Sequence, residues 1–107
     1  NPLQPDVNNV EEIKKKYGRK LTCWGNVDTR NIMTKGTFSD VAEEVRKVIS
    51  VLSPGGGHIL CSNHTIQAGP RAVDNTVAYY WAAEKFRNYP LNVDKVSSKK
   101  KLDVYFT

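Results

Sequence analysis

The sequence has few cysteines, a single methionine and no long apolar run. No stretch approaches the ~20 consecutive apolar residues that a membrane-spanning helix needs, so we expect no membrane insertion. The start of the chain has no basic region followed by an apolar stretch, which predicts that it carries no signal peptide. The two cysteines, Cys23 and Cys61, form no Cys-X-X-Cys pair, and without an export signal we expect free thiols. Together these absences predict a cytoplasmic protein.

The positive charge is the strongest compositional bias. The formal net charge is +5 and the isoelectric point is near 9.3. The excess lies in three clusters, at residues 14–16, 19–20 and 99–101. The first lies on the polar face and at the end of a predicted helix, where cations favour the helix dipole. No aromatic and basic groove and no nucleic-acid motif accompanies these clusters, so the pattern favours a solvated surface over nucleic-acid binding.

Helices and short strands alternate along the chain. The predicted elements are a strand end or loop at 3–6, a helix carrying Val10, Ile13 and Tyr17 after an Asn8 or Asn9 cap, a strand at 21–27, a loop at 28–37, a helix capped by Thr37 or Ser39, a strand at 58–62, a loop at 63–71, and a helix from about Val73 to Arg87. Alternation with long crossovers predicts parallel strands and an α/β fold.

Two of these helices have a predicted buried face. In the central helix the apolar residues follow helical spacing, at Val41, Val45, Val48, Ile49 and Leu52. In the last helix the predicted apolar face consists of Val73, Val77, Tyr80, Trp81 and Phe86. The residues after 92 are polar and rich in lysine until 102–106, which predicts a short strand or a docked tail.

Candidate site residues follow the predicted strands. In parallel α/β proteins, functional groups collect just beyond the carboxyl ends of the strands. The polar residues at such positions are Gln4 and Asp6, then Asn26, Asp28, Thr29 and Arg30, then Asn63, His64 and Gln67. Each has a simpler interpretation, since Asp28 is of a type that caps turns locally and His64 is of a type common on loop surfaces.

Other chemical motifs are weaker. Gly55, Gly56 and Gly57 precede a strand instead of leading from a strand into a helix, so they predict a turn and not a phosphate-binding loop. A zinc site built from Cys23, Cys61 and His64 has no standard ligand spacing. No Ser-His-Asp arrangement follows from spacing alone.

Several strings resemble the uroporphyrinogen decarboxylase family. Residues 24–29, Trp-Gly-Asn-Val-Asp-Thr, are similar to the Gly-Asn-X-Asp turn after the seventh strand of that family. Residues 54–67, from the glycine turn to His-Thr-Ile-Gln, resemble its eighth strand and the histidine beyond it. Residues 1–5 are similar to the end of the sixth strand, and residues 81–91 to the closing helix. The resemblance covers residues 1–92 and leaves 93–107 as a basic tail.

The resemblance implies the last two βα units of a (β/α)₈ TIM-type barrel that binds a tetrapyrrole at its C-terminal mouth. Uroporphyrinogen decarboxylases remove acetate carboxyl groups without a cofactor. His64 would lie in the substrate cleft, and Asn26 and Asp28 would line the same mouth. The family's essential aspartate and arginines come from earlier strands that this chain lacks, so the resemblance assigns it no catalytic residue, no metal ligand and no cofactor.

The chain also departs from the family pattern. Residues 72–75 are Ala-Val-Asp-Asn where relatives commonly have Pro-Glu-Asn. A sister group, the corrinoid-dependent methyltransferases, binds zinc through a set that includes a cysteine after the last strand, and here His64 stands at that position. A corrinoid-type methyltransferase therefore remains an alternative. A non-catalytic α/β interaction module whose basic patches bind an acidic partner is another.

The chain is too short to form the whole predicted barrel. A barrel of this kind takes about 250 residues, and two βα units leave apolar strand edges exposed. The absence of an initiator methionine favours a fragment or a trimmed chain over a natural start. We therefore expect self-association, or pairing with the missing N-terminal part, and no decarboxylase activity from this chain alone.

Overall fold

Helices and strands alternate as expected for an α/β protein. The computed structural model describes residues 8–89 and residue 91, so the predictions for residues 1–7, for the basic tail 93–107 and for its segment 102–106 lie outside the described residues. In chain order the elements are α1 (Val10–Tyr17), β1 (Cys23–Trp24), a π-helix (Thr29–Met33), α2 (Phe38–Leu52), β2 (His58–Ile59) and α3 (Ala72–Phe86). The strands β1 and β2 pair in parallel, which confirms the predicted mixed class.

The sheet is shorter than the predicted strands. Cys23 pairs with His58 and Trp24 with Ile59, and pairing resumes only in an isolated bridge at Val27. The prediction of continuous strands at 21–27 and 58–62 is therefore wrong. Its physical reason lies at residues 25 and 26, whose φ angles of 119° and 108° leave the extended region, so the first strand cannot continue unbroken.

Helix α2 forms the centre of the core. The Thr37 side chain accepts a hydrogen bond from the Asp40 amide, and the Asp40 side chain accepts one from the Thr37 amide, which completes a capping box. This arrangement confirms Thr37 as the cap. All the apolar positions predicted to face inward are buried, namely Val41, Val45, Val48, Ile49 and Leu52. The periodicity of the sequence thus fixes the orientation of this helix.

Helix α3 packs against α2 with a face that the sequence did not predict. Val73, Val77 and Tyr80 are 76%, 55% and 67% exposed, so the predicted face is wrong at these positions. The buried residues are Asn75, Ala78, Tyr79, Ala82 and Phe86. The alanines on this face have short side chains, which let the two helix backbones approach closely. Close packing of α2 therefore selects the small residues over the larger apolar ones.

The segment predicted as a loop at 28–37 contains a π-helix. Asp28 caps it by accepting a hydrogen bond from the Asn31 amide at 3.1 Å, and the Met33 amide donates to the Asp28 carbonyl at 2.9 Å. Helix α3 then holds the segment, because the Asn75 side-chain amide donates to the carbonyls of Met33 and Gly36, each at 2.9 Å. A local cap and hydrogen bonds from α3 thus order a stretch whose composition predicts a loop.

Candidate functional site

The carboxyl ends of the two strands carry a set of buried polar residues. Asn26, Asp28 and Thr29 follow β1, and Asn63 follows β2. Their exposed fractions are 0%, 7%, 4% and 1%, respectively. Because parallel strands end at the same edge, the structure brings these four residues to one side of the sheet. Gln4 and Asp6, predicted for the same edge, lie outside the described residues.

Asn63 joins the segments that follow the two strands. Its side-chain oxygen accepts hydrogen bonds from the Thr29 hydroxyl at 2.9 Å and from the Thr29 amide at 3.3 Å. The backbone amide of Asn63 donates a hydrogen bond to the Val27 carbonyl at 3.0 Å. Since buried polar groups must be satisfied inside the protein, these bonds fix the spacing between the two loops at the site.

Asp28 has a structural role in this arrangement. Its carboxylate accepts hydrogen bonds from the Asn31 amide at 3.1 Å and from the Asn31 side-chain nitrogen at 3.2 Å. Both bonds are local, as the simpler interpretation of Asp28 expects. They hold the carboxylate against the start of the π-helix, so Asp28 shapes the edge of the site.

Glu44 is a further carboxylate near Asp28 that sequence reasoning missed. It lies on α2, and burial raises the pKa of its carboxyl, partly offset by the charge of Lys47. The charge of Asp28 raises the pKa further, whereas a hydrogen bond from the Asp28 backbone lowers it. A carboxyl of raised pKa beside a second carboxylate can hold a proton closer to neutral pH than an exposed one. Only the packing of α2 against the site reveals this neighbour.

His64 lies at the same end of the molecule but is exposed. Its backbone carbonyl accepts a hydrogen bond from the Ser62 hydroxyl at 2.8 Å, which shapes the turn after β2. Within residues 8–89 and 91, its imidazole makes no hydrogen bond to Asn26 or Asp28. Of the three residues predicted to bind substrate, two are therefore buried in the scaffold and His64 is open to a ligand.

A serine–histidine pair lies elsewhere in the fold. The Ser53 hydroxyl and the Nδ1 atom of His58 are 2.8 Å apart, and the Nε2 atom of His58 is 3.0 Å from the Gly25 carbonyl oxygen. A carbonyl only accepts, so Nε2 donates and the Ser53 hydroxyl donates to Nδ1 in the neutral ring. Burial lowers the pKa of His58 and favours that neutral form. Because the second nitrogen meets a carbonyl and not a carboxylate, the pair serves as a clamp between α2, β2 and β1.

The two cysteines are free thiols within the described structure. Cys23 belongs to β1 and is buried. Burial raises the pKa of the Cys61 thiol, which disfavours the reactive thiolate. Among residues 8–89 and 91, no group of three histidine, cysteine, aspartate or glutamate side chains is placed to hold a metal ion. In the same part of the chain, no helix combines the length and apolar character needed to cross a bilayer.

Within the described part of the chain, one face of the sheet is exposed. Trp24 and Ile59 are register partners and are 54% and 50% exposed, whereas Cys23, their neighbour on β1, is only 8% exposed. Successive residues of a strand point to opposite faces, so Trp24 and Ile59 share the face turned away from the core. Two large apolar side chains thus meet solvent beside the polar edge described above.

Comparison of the chain with protein-family models, curated proteins and solved structures finds no match. The likeness to uroporphyrinogen decarboxylases therefore stays a prediction drawn from the strings at 24–29 and 54–67. The geometry of the strand ends and of the uncovered sheet face is the independent basis for a functional proposal.

Proposed function

We propose that this chain is the C-terminal part of a uroporphyrinogen decarboxylase-like (β/α)₈ barrel and supplies residues of a tetrapyrrole cleft. The observation that carries the proposal is the parallel pair β1 and β2, with Trp24 and Ile59 exposed on the face opposite the core. In a closed barrel, strand side chains on this face fill the interior. An apolar pair there suits an inner barrel layer better than a solvated surface.

The positions of helices α2 and α3 support the same arrangement. Helix α2 connects the parallel strands β1 and β2, as the helix of a βαβ unit does. Helix α3 follows β2 and leaves Val73, Val77 and Tyr80 exposed at helical spacing. In a complete ring of helices, an apolar stripe of this kind contacts the next helix. Further βα units would therefore cover both exposed surfaces, the sheet face with Trp24 and Ile59 and the apolar stripe of α3.

The proposed cleft lies at the carboxyl edge of the sheet. His64 is the exposed group there and would contact the ligand directly, whereas Asn26 and Asp28 are buried and would set the shape of the mouth. The catalytic aspartate and the arginines of the family would come from strands outside this chain. We therefore assign no catalytic residue or cofactor to it and expect it to be inactive as a decarboxylase on its own.

The partner that completes the barrel follows from the same surfaces. Among the described residues the sheet has two strands, so each strand has one edge without a partner there. These edges, together with the exposed Trp24 and Ile59, favour pairing with the remaining strands. Without those strands, the chain would pair with copies of itself. A cytoplasmic location remains the prediction made from the sequence.

A porphyrin titration tests the proposal. Coproporphyrin is titrated into wild-type chain, His64→Ala and Asn88→Ala, the last being a matched control because Asn88 is also exposed and polar. We expect saturable binding that His64→Ala weakens about fivefold or more, as the loss of one good polar contact would, and that Asn88→Ala leaves unchanged. Equal affinity of all three proteins, or turnover of uroporphyrinogen by the chain alone, would contradict the proposal. Zinc analysis of the same samples separates it from a methyltransferase.

A further inference from the structure

A basic groove lies at the opposite end of the sheet from the proposed tetrapyrrole cleft. It has a volume of about 620 Å³ and runs between the end of α1 and the glycine turn that precedes β2. Its charged lining consists of Lys14, Lys15, Arg19 and Lys20. Because residues 18–22 lead into β1 and residues 54–57 lead into β2, the groove adjoins the amino ends of both strands.

The two walls of the groove are tied together. The Lys14 ammonium donates a hydrogen bond to the Gly56 carbonyl at 2.7 Å across 42 residues of sequence. Gly57 lies beside the residue that caps α1, since a Cβ atom there would be 3.4 Å from the Gly18 carbonyl oxygen, within van der Waals contact. The two walls of the groove are therefore in contact with each other.

Among the lining residues that the structure describes, no carboxylate lies beside the cations of the groove. Within the described part of the chain, no salt bridge is formed by the groove cations Lys14, Lys15, Arg19 and Lys20. By contrast, Arg46 and Arg87 each pair with a glutamate three residues earlier in the chain. Four cations gathered around one concavity repel one another unless an anion binds between them.

The glycine turn forms one wall of the groove. Gly55, Gly56 and Gly57 have φ angles of 78°, 81° and 70°. The Gly56 amide donates to the Ser53 carbonyl, but the amides of Gly55 and Gly57 donate no hydrogen bond within residues 8–89 and 91. The sequence indicates only a turn here, because the lysines of α1 lie far away in the chain.

We propose that this groove binds a small ligand bearing several phosphate groups. Its volume falls in the range of small-molecule sites. Within residues 8–89 and 91, none of the residues lining it is aromatic, so this part of the chain offers no stacking platform of the kind that single-stranded nucleic acids use. The ligand chemistry is therefore an oligophosphate held by ammonium, guanidinium and amide donors. This site is separate from the proposed tetrapyrrole cleft and does not depend on it.

Calorimetric titration with inorganic tripolyphosphate at low salt tests the site. The variant Lys15→Gln/Lys20→Gln removes two exposed groove lysines, and Lys35→Gln/Lys47→Gln removes two exposed lysines outside the groove. Both variants change the net charge equally, so a difference between them reports position. We expect the groove variant to bind about tenfold more weakly or worse, since two charge-assisted contacts are lost, and the control to change by less than about twofold.

Amide resonances supply a second readout on the wild-type chain. Tripolyphosphate should shift the Gly55 and Gly57 amide signals, which a merely electrostatic attraction to the whole surface would not single out. The proposal is overturned if the two double variants weaken binding equally while far-ultraviolet circular dichroism shows both folded. It is also overturned if tripolyphosphate does not bind, whether or not a single-stranded oligonucleotide does.

Discussion

Replacing Asn75 tests how α3 holds the segment that follows the first strand. The Asn75 amide is 1% exposed and donates to the carbonyls of Met33 and Gly36. Gly36 keeps a second donor, because Arg71 reaches the same carbonyl at 3.3 Å. Asn75→Ala therefore costs one ordinary hydrogen bond, about 1 kcal/mol, and strips the Met33 carbonyl of its side-chain donor, about 1–3 kcal/mol. We expect the free energy of unfolding to fall by about 2–4 kcal/mol.

Urea unfolding followed by circular dichroism measures this loss. A drop of that size lowers the midpoint by roughly 1–2 M urea at an unchanged slope. Asn88→Ala is the control, because Asn88 is exposed and its truncation should change stability by less than about 0.5 kcal/mol. If Asn75→Ala and Asn88→Ala unfold at the same urea concentration, the bonds from α3 do not hold the π-helix segment and this reasoning is refuted.

Three further predictions concern the sheet and its ends. Trp24→Glu should weaken self-association, measured by analytical ultracentrifugation, with little change in stability, because Trp24 is 54% exposed. A wild-type chain that is monomeric at every concentration would contradict this. His58 has a pKa lowered below its unfolded value of 6.5, so its contribution to stability is complete above that pH and declines as pH falls below it. Urea unfolding at pH 7.5 and 5.5 should show this loss in wild type and a smaller one in His58→Gln, and equal losses would refute it. Asn63→Ala should destabilise by about 2–4 kcal/mol, because the Thr29 hydroxyl and amide lose their buried acceptor, and urea unfolding no different from that of Asn88→Ala would argue otherwise.

Helix α2 shows what the sequence predicts well. Its apolar residues recur on one face and its cap is a Thr37–Asp40 pair, so local signals alone determine its extent and orientation. Helix α3 shows the opposite case. Ala78 and Ala82 are buried because α2 approaches closely, and a rule that ranks residues by hydrophobicity selects Val73 instead. Which face of α3 packs inward is a tertiary choice that the single-helix pattern does not contain.

The candidate site divides in the same way. The positions of Asp28 and Asn63 after consecutive parallel strands are predictable, because strand ends meet at one edge. The burial of Asp28 beside Glu44 is not, since it depends on how α2 crosses the sheet. Likewise, the basic groove forms only when Lys14 meets the turn at Gly56, two positions that nothing in the sequence connects.

The most direct test of the central proposal is to map where a porphyrin contacts the chain. Coproporphyrin shifts nearby amide resonances strongly through its ring current, so a titration followed by nuclear magnetic resonance locates the ligand. We predict the largest shifts at residues 26–31 and 62–68, around the carboxyl edge of the sheet, with weaker binding by His64→Ala. Shifts centred on the basic groove at 14–20 and 54–57, or on the exposed face of α3, would contradict a tetrapyrrole cleft at the strand ends.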